Sequence, residues 1–422
     1  MPTSRRALWR FLPLVSFAAA FTLYTITMAH VHVGDTPEIL DDVRWGRWFH
    51  PSHLLPRWLV GWGMALAHDV APTLSPYAVG VFMAGTLPGA VGVALCHQLL
   101  RRLTGSEVIP FLAAAIFGLT GCWWVQATTF ELHALPIVAL LAAVSVTVHA
   151  TGSPHPLRMA ALAGALQGLA AGLHLLATGA LLAWAVILAC QDRSMRMRLA
   201  AVVSFGAAAG GMVAGLYGLA SLSRFTTGAY PRDGNAMSAV LLPGAYEPAA
   251  GYDANTLVRL MKSGARDAVV ATHRFPGITV EGIEAASVVL VVLSLLLSLR
   301  LWRRYRGVAL MPLAWVVGTV PIALRVEPQN MEYYGGPVLA LVILWALAAD
   351  EAIRALGERW WARLVVLGTG AAFAIFLYAT NVYAMAERML SPTGDHVSRV
   401  FNGPSSPPRL MDGWGETVTP DP

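Results

Sequence analysis

The chain has 422 residues, 56% of them hydrophobic and only 13% charged, a balance that excludes an ordinary soluble domain and indicates a polytopic membrane protein. Its formal net charge of +5 comes from arginines scattered through short loops, with Lys262 the lone lysine, and carries no nucleic-acid signature. Cys96, Cys122 and Cys190 all fall within apolar stretches and imply no disulfide framework.

At about 20 apolar residues per span, the sequence predicts an all-α membrane protein with about eleven transmembrane helices. They fall near residues 11–30, 76–100, 107–126, 133–150, 157–174, 175–191, 199–221, 283–302, 307–325, 336–352 and 363–383. Arg5, Arg6 and Arg10 precede the first, whose apolar run is long for a signal peptide and ends in no small-residue cleavage site, so an uncleaved first helix is expected. Leu54 to Ala67 is short and apolar on one side, which predicts an interfacial helix. The run from Leu157 to Cys190 reads either as two short spans broken near His174 or as one long tilted helix.

Arginines set the orientation. With a cytoplasmic N-terminus, the inner turns carry Arg101 and Arg102, Arg158, Arg193 to Arg198, Arg300 to Arg306, and Arg354 to Arg363, and this alternation favours two spans around His174. The outer side then receives loop 31–75, the turn Thr128–His133, His174, loop 222–282, the turn Val326–Gly336 and the tail. Residues 1–383 form the transmembrane domain. The tail 384–422, rich in Pro, Gly and Ser, is expected to be flexible.

The chemistry-bearing groups collect on that outer side. The first loop holds Asp35, Glu38, Asp41, Asp42, His50 and His53 against Arg44, Arg47 and Arg57, with Trp45, Trp48, Phe49 and Trp58 suited to the headgroup layer. A solvated loop is the plain reading; a surface that handles a substrate headed at the membrane is the functional one. If a short helix begins at Thr36-Pro37, Asp35 and Glu38 share one side, and one carboxylate can take a proton from an acceptor hydroxyl, or Asp35 simply caps the helix. His50 and His53 are candidates to meet a phosphate or a metal, or polar interface anchors. Glu131-Leu132-His133 places a carboxylate where burial is costly unless it is paired or functional. His174 breaks an apolar run, as a core histidine or a site group, and Glu332-Tyr333-Tyr334 suits either a sugar site or an aromatic belt. In loop 222–282 the basic groups, Arg224 and Arg274 among them, meet a phosphate or solvate the loop, and Thr256 to Val270 reads as an amphipathic stretch. No Walker loop, dinucleotide fingerprint, Cys-x-x-Cys or His-Glu-x-x-His occurs, so nucleotide hydrolysis and zinc proteolysis have no support.

Taken in order, Gly34-Asp35-Thr36-Pro37-Glu38, Phe49-His50-Pro51-Ser52-His53, Glu131-Leu132-His133-Ala134-Leu135, Gly172-Leu173-His174 and Glu332-Tyr333-Tyr334 resemble the lipid-linked-sugar-dependent glycosyltransferases of the GT-C fold, especially the protein O-mannosyltransferase-like branch. The resemblance extends over roughly residues 10 to 350. It departs from the family in His133, where Tyr is common, in the second histidine of the His-Pro segment, and in lacking a large soluble C-terminal domain. It implies Asp35 as the catalytic base, with Glu38 and Glu131 as further catalytic acids. The implied substrate-binding residues are His50, His53, His133, His174, Glu332, Tyr333 and Tyr334, with Arg224, Arg274 and Arg325 for the leaving phosphate.

The implied enzyme moves a sugar from a polyprenyl- or dolichyl-phosphate donor to a protein, lipid or glycan acceptor, as in protein glycosylation. It would work at the outer face of a bacterial inner membrane among membrane lipids, with no nucleic-acid partner. No metal ligands are assigned, and a divalent metal ion stays open as a cofactor. A polytopic transporter or lipid flippase is the competing reading, and a scaffold the third. Against a transporter stand the absence of a visible repeat and of acids at mid-membrane depth.

Overall fold

Helix is the only regular structure among the described residues, as apolar segments without water for their backbone require. The computed structural model describes residues 11–29, 39–40, 42–43, 54–71, 73, 75–104, 106–222, 254–270, 280–325, 331–357 and 359–383. The helices in chain order are α1 Leu12–Ile26, α2 Pro56–Val70, α3 Tyr77–Thr104 (with a π turn at Phe82–Thr86), α4 Val108–Leu119, α5 Gly121–Thr128, α6 Ala134–Gly152 and α7 Pro156–Leu173. A 3-10 turn, Leu175–Ala180, leads into α8 Leu181–Ala189; then come α9 Met195–Leu222, α10 Ala254–Val269, α11 Val280–Tyr305 and α12 Gly307–Arg325. A second 3-10 turn, Met331–Tyr334, precedes α13 Gly335–Ala355, and α14 Trp360–Leu377 ends in a π turn, Tyr378–Tyr383.

All eleven expected apolar segments are helical, but length and apolarity qualify five helices to cross a membrane, or six if the bent pair α4 and α5 is one span. The chain is an integral membrane protein. Leu12–Ile26, Leu175–Ala189 and Gly307–Ile322 are apolar but shorter. The expected single helix over 107–126 is broken: α4 and α5 meet at 68°. Thr120 between them is extended (φ −62°, ψ 147°), and its hydroxyl donates back to the Phe117 carbonyl at 2.7 Å. The amphipathic stretch from Thr256 is α10, and the short segment after Leu54 is α2.

The run around His174 is two helices. His174 is itself extended (φ −159°, ψ 130°). Gln167 of α7 donates to the Ala177 carbonyl at 2.7 Å and accepts from the Trp184 indole N–H, so the chain after His174 folds back alongside α7. A straight helix would hold residues 167 and 184 about 25 Å apart at 1.5 Å per residue.

Small residues set the tightest packing. Gly164, Gly168 and Gly172 make one stripe of α7 facing α9, and a Cβ at Gly164 would lie 2.1 Å from the Phe205 carbonyl oxygen. Lipid offers no hydrophobic drive for helix pairing, so this close backbone approach supplies it through dispersion. Elsewhere Tyr24 of α1 donates to the Gly118 carbonyl of α4 at 2.9 Å, and Ser16 hydrogen-bonds His97 of α3 at 2.7 Å. Trp123, Trp124, Trp184 and Trp315 are fully buried at the centre.

The helix ends sort into two sets. At one end lie the arginine turns: Arg101 pairs with Glu107, Arg304 with Glu351, Arg306 with Asp192 at 3.2 Å, and Arg354 with Asp350 at 2.9 Å while also donating to the Thr104 carbonyl at 2.7 Å. Arg306 holds the Asp192 carboxyl below its usual range. At the other end, Ala29 donates to the Thr128 carbonyl at 2.8 Å and Leu55 to the Gly172 carbonyl at 3.3 Å. That end carries the described acids and histidines singled out by the sequence.

Candidate active site

Three interruptions of helix build the site. The first follows α5, where Thr129 to His133 cross the end of α3 before α6 begins. The crossing is tight: a Cβ at Gly85, inside the π turn of α3, would lie 2.7 Å from the Thr129 carbonyl oxygen. Thr86 donates to the Ala127 carbonyl at 3.1 Å, and Tyr77 to the Ala29 carbonyl at 3.1 Å, which pins the segment from both sides. Phe130 packs edge-on to Tyr77 with centroids 6.5 Å apart. Glu131, 2% exposed, lies close enough to Tyr77 for the carboxylate and the phenol to interact electrostatically.

The second interruption is His174. Its Nδ1 accepts from the Leu176 backbone N–H at 3.0 Å, which fixes the neutral ring as the tautomer with its proton on Nε2. The His133 ring leans over it, centroids 4.3 Å apart and planes 39° apart. Both histidines are buried.

The third is the turn Met331–Tyr334. Tyr333 joins His133 and His174 around one small cavity of ≈ 30 Å³, walled also by Ile137, Trp315, Thr319 and Pro337. Tyr334 beside it is buried, and burial pushes its phenol up to about 12, so it stays a hydrogen-bond donor. Three of the predicted substrate-binding residues therefore share one cavity, although they are far apart in sequence, and Glu131 lies two positions from one of them.

The first outer loop reaches the same region. Ile39 and Leu40, directly after Glu38, are buried in one cluster with Phe130 and Leu132, the two neighbours of Glu131. Asp42 forms a buried ion pair with Arg57 of α2. Asp35, Glu38, His50, His53, Arg224, Arg274 and the tail 384–422 lie outside the described residues, as do the side chains of Arg325 and Glu332. Among the described residues no three of His, Cys, Asp and Glu gather into a cluster that could hold a metal ion.

Sequence reasoning missed four parts as site residues: the Asp42–Arg57 pair, Gln126, Trp315 and Thr319. Gln126 is fully buried on α5 and neither its Oε1 nor its Nε2 has a hydrogen-bond partner among the described residues. The available signal was a polar residue inside an apolar helical run, true of Gln126 after Trp123-Trp124 and of Thr319 between Pro312 and Pro321.

No protein-family model matches the chain, and no curated protein matches it in sequence. Solved structures do resemble it. The Archaeoglobus fulgidus oligosaccharyltransferase in complex with Zn and sulfate superposes with a TM-score of 0.54 at 13% identity, over 97% of this chain. This chain spans only 58% of the length of that protein. ArnT from Cupriavidus metallidurans gives 0.54 in the apo state (13% identity, 89% of this chain and 76% of ArnT) and 0.51 bound to undecaprenyl phosphate (14% identity, 92% and 75%). Both neighbours are GT-C-fold glycosyltransferases, and at this level of identity the likeness establishes the architecture: the chain has the GT-C fold.

Proposed function

We propose that this protein is an integral-membrane glycosyltransferase that moves a sugar from a polyprenyl-phosphate-linked donor to an acceptor hydroxyl or amide at the outer face of a bacterial inner membrane. The carrying observation is the group of buried Glu131, His133 and His174 with half-buried Tyr333 at the helix end where Ile39 and Leu40 of the first outer loop dock. The GT-C fold and the neighbour crystallised with undecaprenyl phosphate support the donor class.

In the proposed reaction the acceptor oxygen or nitrogen attacks the anomeric carbon, the bond from that carbon to the phosphate oxygen breaks, and polyprenyl phosphate leaves with the electron pair. Asp35 takes the acceptor's proton, with Glu38 and Glu131 as the neighbouring acids. Arg224, Arg274 and Arg325 neutralise the leaving phosphate. His50 and His53 belong to the donor site in this reading, and Glu332 and Tyr334 stand beside Tyr333 at the sugar. The finer assignment, an O-mannosyltransferase-like enzyme acting on protein, rests on the ordered motifs from Asp35 to Tyr334. The first neighbour was crystallised with Zn. A divalent ion would supply Lewis acidity at the phosphate, and the steps above run on the chain's own groups.

The test is transfer of radiolabelled sugar from polyprenyl-phosphate donors in membranes, comparing wild type with Asp35→Asn at matched expression. Loss of about 100- to 10,000-fold is expected for removal of a general base. Equal activity in the two would move the base to Glu38 or Glu131. No transfer from any donor by the wild type would sink the proposal in favour of a transporter.

A further inference from the structure

The cavity at His133, His174 and Tyr333 limits what can enter it. Its volume is ≈ 30 Å³. One water needs roughly 10–15 Å³ by the same measure, so there is room for about two non-hydrogen atoms and not for a sugar ring or a phosphate. The described lining residues include no arginine, lysine, aspartate or glutamate. The lining offers hydrogen bonds instead, from two imidazoles, a phenol and the Thr319 hydroxyl, set against the apolar faces of Trp315 and Pro337. Among the described lining residues no cation would meet a carboxylate; a hydroxyl both donates and accepts, as this lining does.

Thr319 is unusual among these groups. It is 3% exposed, and its Oγ1 has no hydrogen-bond partner among the described residues. That oxygen is turned towards Gly179, where a Cβ would lie only 2.8 Å from it. The backbone beneath cannot shift easily, because Gly318 and Gly179 interlock: a Cβ at Gly318 would lie 2.1 Å from the Gly179 carbonyl oxygen. The available motion is about χ1, which re-aims the hydroxyl between staggered rotamers. Trp315, one turn earlier on α12, is held edge-on by Trp184 at 5.0 Å and against Gly336, and supplies a rigid apolar wall.

Building on the glycosyltransferase reading, we propose that this cavity is the sugar-selecting subsite, that it takes the hydroxymethyl arm of a neutral hexose, and that Thr319 is the residue that reads its hydroxyl. His174, fixed as an Nε2–H donor by the Leu176 N–H, supplies the second contact. The enzyme accordingly prefers a neutral hexose over the matching 6-deoxyhexose and strongly over the hexuronate.

The experiment uses the full chain in membranes with three donors that share one polyprenyl phosphate and carry the hexose, its 6-deoxy analogue or its uronate, for wild type and Thr319→Val. Wild type should lose about 3- to 10-fold in kcat/KM on the 6-deoxy donor, the worth of one neutral hydrogen bond, and on the order of 100-fold or more on the uronate. Thr319→Val keeps the side-chain shape, so it should lose the same small factor on the hexose and nothing further on the 6-deoxy donor. Undiminished discrimination in Thr319→Val, or equal use of the uronate, overturns the subsite. A parallel measurement, saturation-transfer NMR of methyl hexoside against methyl 6-deoxyhexoside on purified protein, separates the two ideas. Discriminating binding that Thr319→Val abolishes, without transfer from any donor, keeps the subsite and refutes the transferase; transfer without discriminating binding does the reverse.

Discussion

The buried ion pair between Asp42 and Arg57 yields the sharpest stability prediction. Arg57 is 2% exposed and the Asp42 side chain 8%, so neither charge is relieved by water if its partner is removed. Breaking a buried ion pair by removing one member costs about 3–5 kcal/mol, whereas replacing both by apolar residues is often neutral. Arg57→Leu and Asp42→Leu are therefore each expected to cost about 3–5 kcal/mol, and the double variant to come within about 1 kcal/mol of wild type. Ile39 and Leu40 sit three and two residues before Asp42, and a released Asp42 should also loosen their hold on Phe130 and Leu132. On the proposed reading sugar transfer should then fall in each single variant and return in the double. Unfolding by SDS in mixed micelles gives the stability series, and labelled-sugar transfer the functional one. A single variant costing under 1 kcal/mol, or a double variant worse than either single, would refute the argument that this pair anchors the loop through its charge.

Two further outcomes follow from packing and burial. Gln126→Leu replaces a fully buried carboxamide that has no described partner with an apolar side chain of similar size, and should stabilise the protein by about 1–3 kcal/mol in the same micelle titration. A loss of stability would mean that the amide is paired. Gly164→Val places branched atoms where even a Cβ would lie 2.1 Å from the Phe205 carbonyl, so α7 and α9 must separate. The expected cost is about 1–3 kcal/mol or outright failure to accumulate, read by expression level and thermal aggregation, and a variant as stable as wild type would contradict the close approach.

How much of this was legible beforehand depends on distance along the chain. Helices were readable because an apolar run in a membrane has one backbone solution, and the alternation of arginines was enough to prefer two helices around His174 over one. The number of spans was less readable, because apolar runs such as Leu175–Ala189 are too short to be told from buried core helices by length. The kink at Thr120 escaped because a threonine beside glycines is common in straight membrane helices, and the contact beside it, Tyr24 of α1 donating to the Gly118 carbonyl of α4, is made from another helix. Glu131, His133, His174 and Tyr333 stood out as polar residues where none was needed. The meeting of His133, His174 and Tyr333 at one cavity is tertiary information, as are the pairing of Asp42 with Arg57 and the lack of partners for Gln126 and Thr319 among the described residues.

The positions of these groups share one physical cause. Within a bilayer an unpaired peptide group is costly, so irregular backbone survives only where protein buries it or where it lines a cavity. This chain breaks its helices at Thr128–His133, at His174 and at Met331–Tyr334, and the three breaks meet at one end of the molecule. At the first two breaks local partners take up the released backbone groups: Ala29 N–H reaches Thr128, Leu55 N–H reaches Gly172, and the His174 ring accepts the Leu176 N–H. Side chains at such breaks need not follow the outward-apolar rule of the helices, so a carboxylate, two imidazoles and a phenol can sit there without facing lipid. The arginine turns at the opposite end pair with acids and carbonyls instead. The asymmetry that the sequence shows in its charges is thus the same asymmetry that the fold shows in where its helices break, and it locates the proposed chemistry at the broken end.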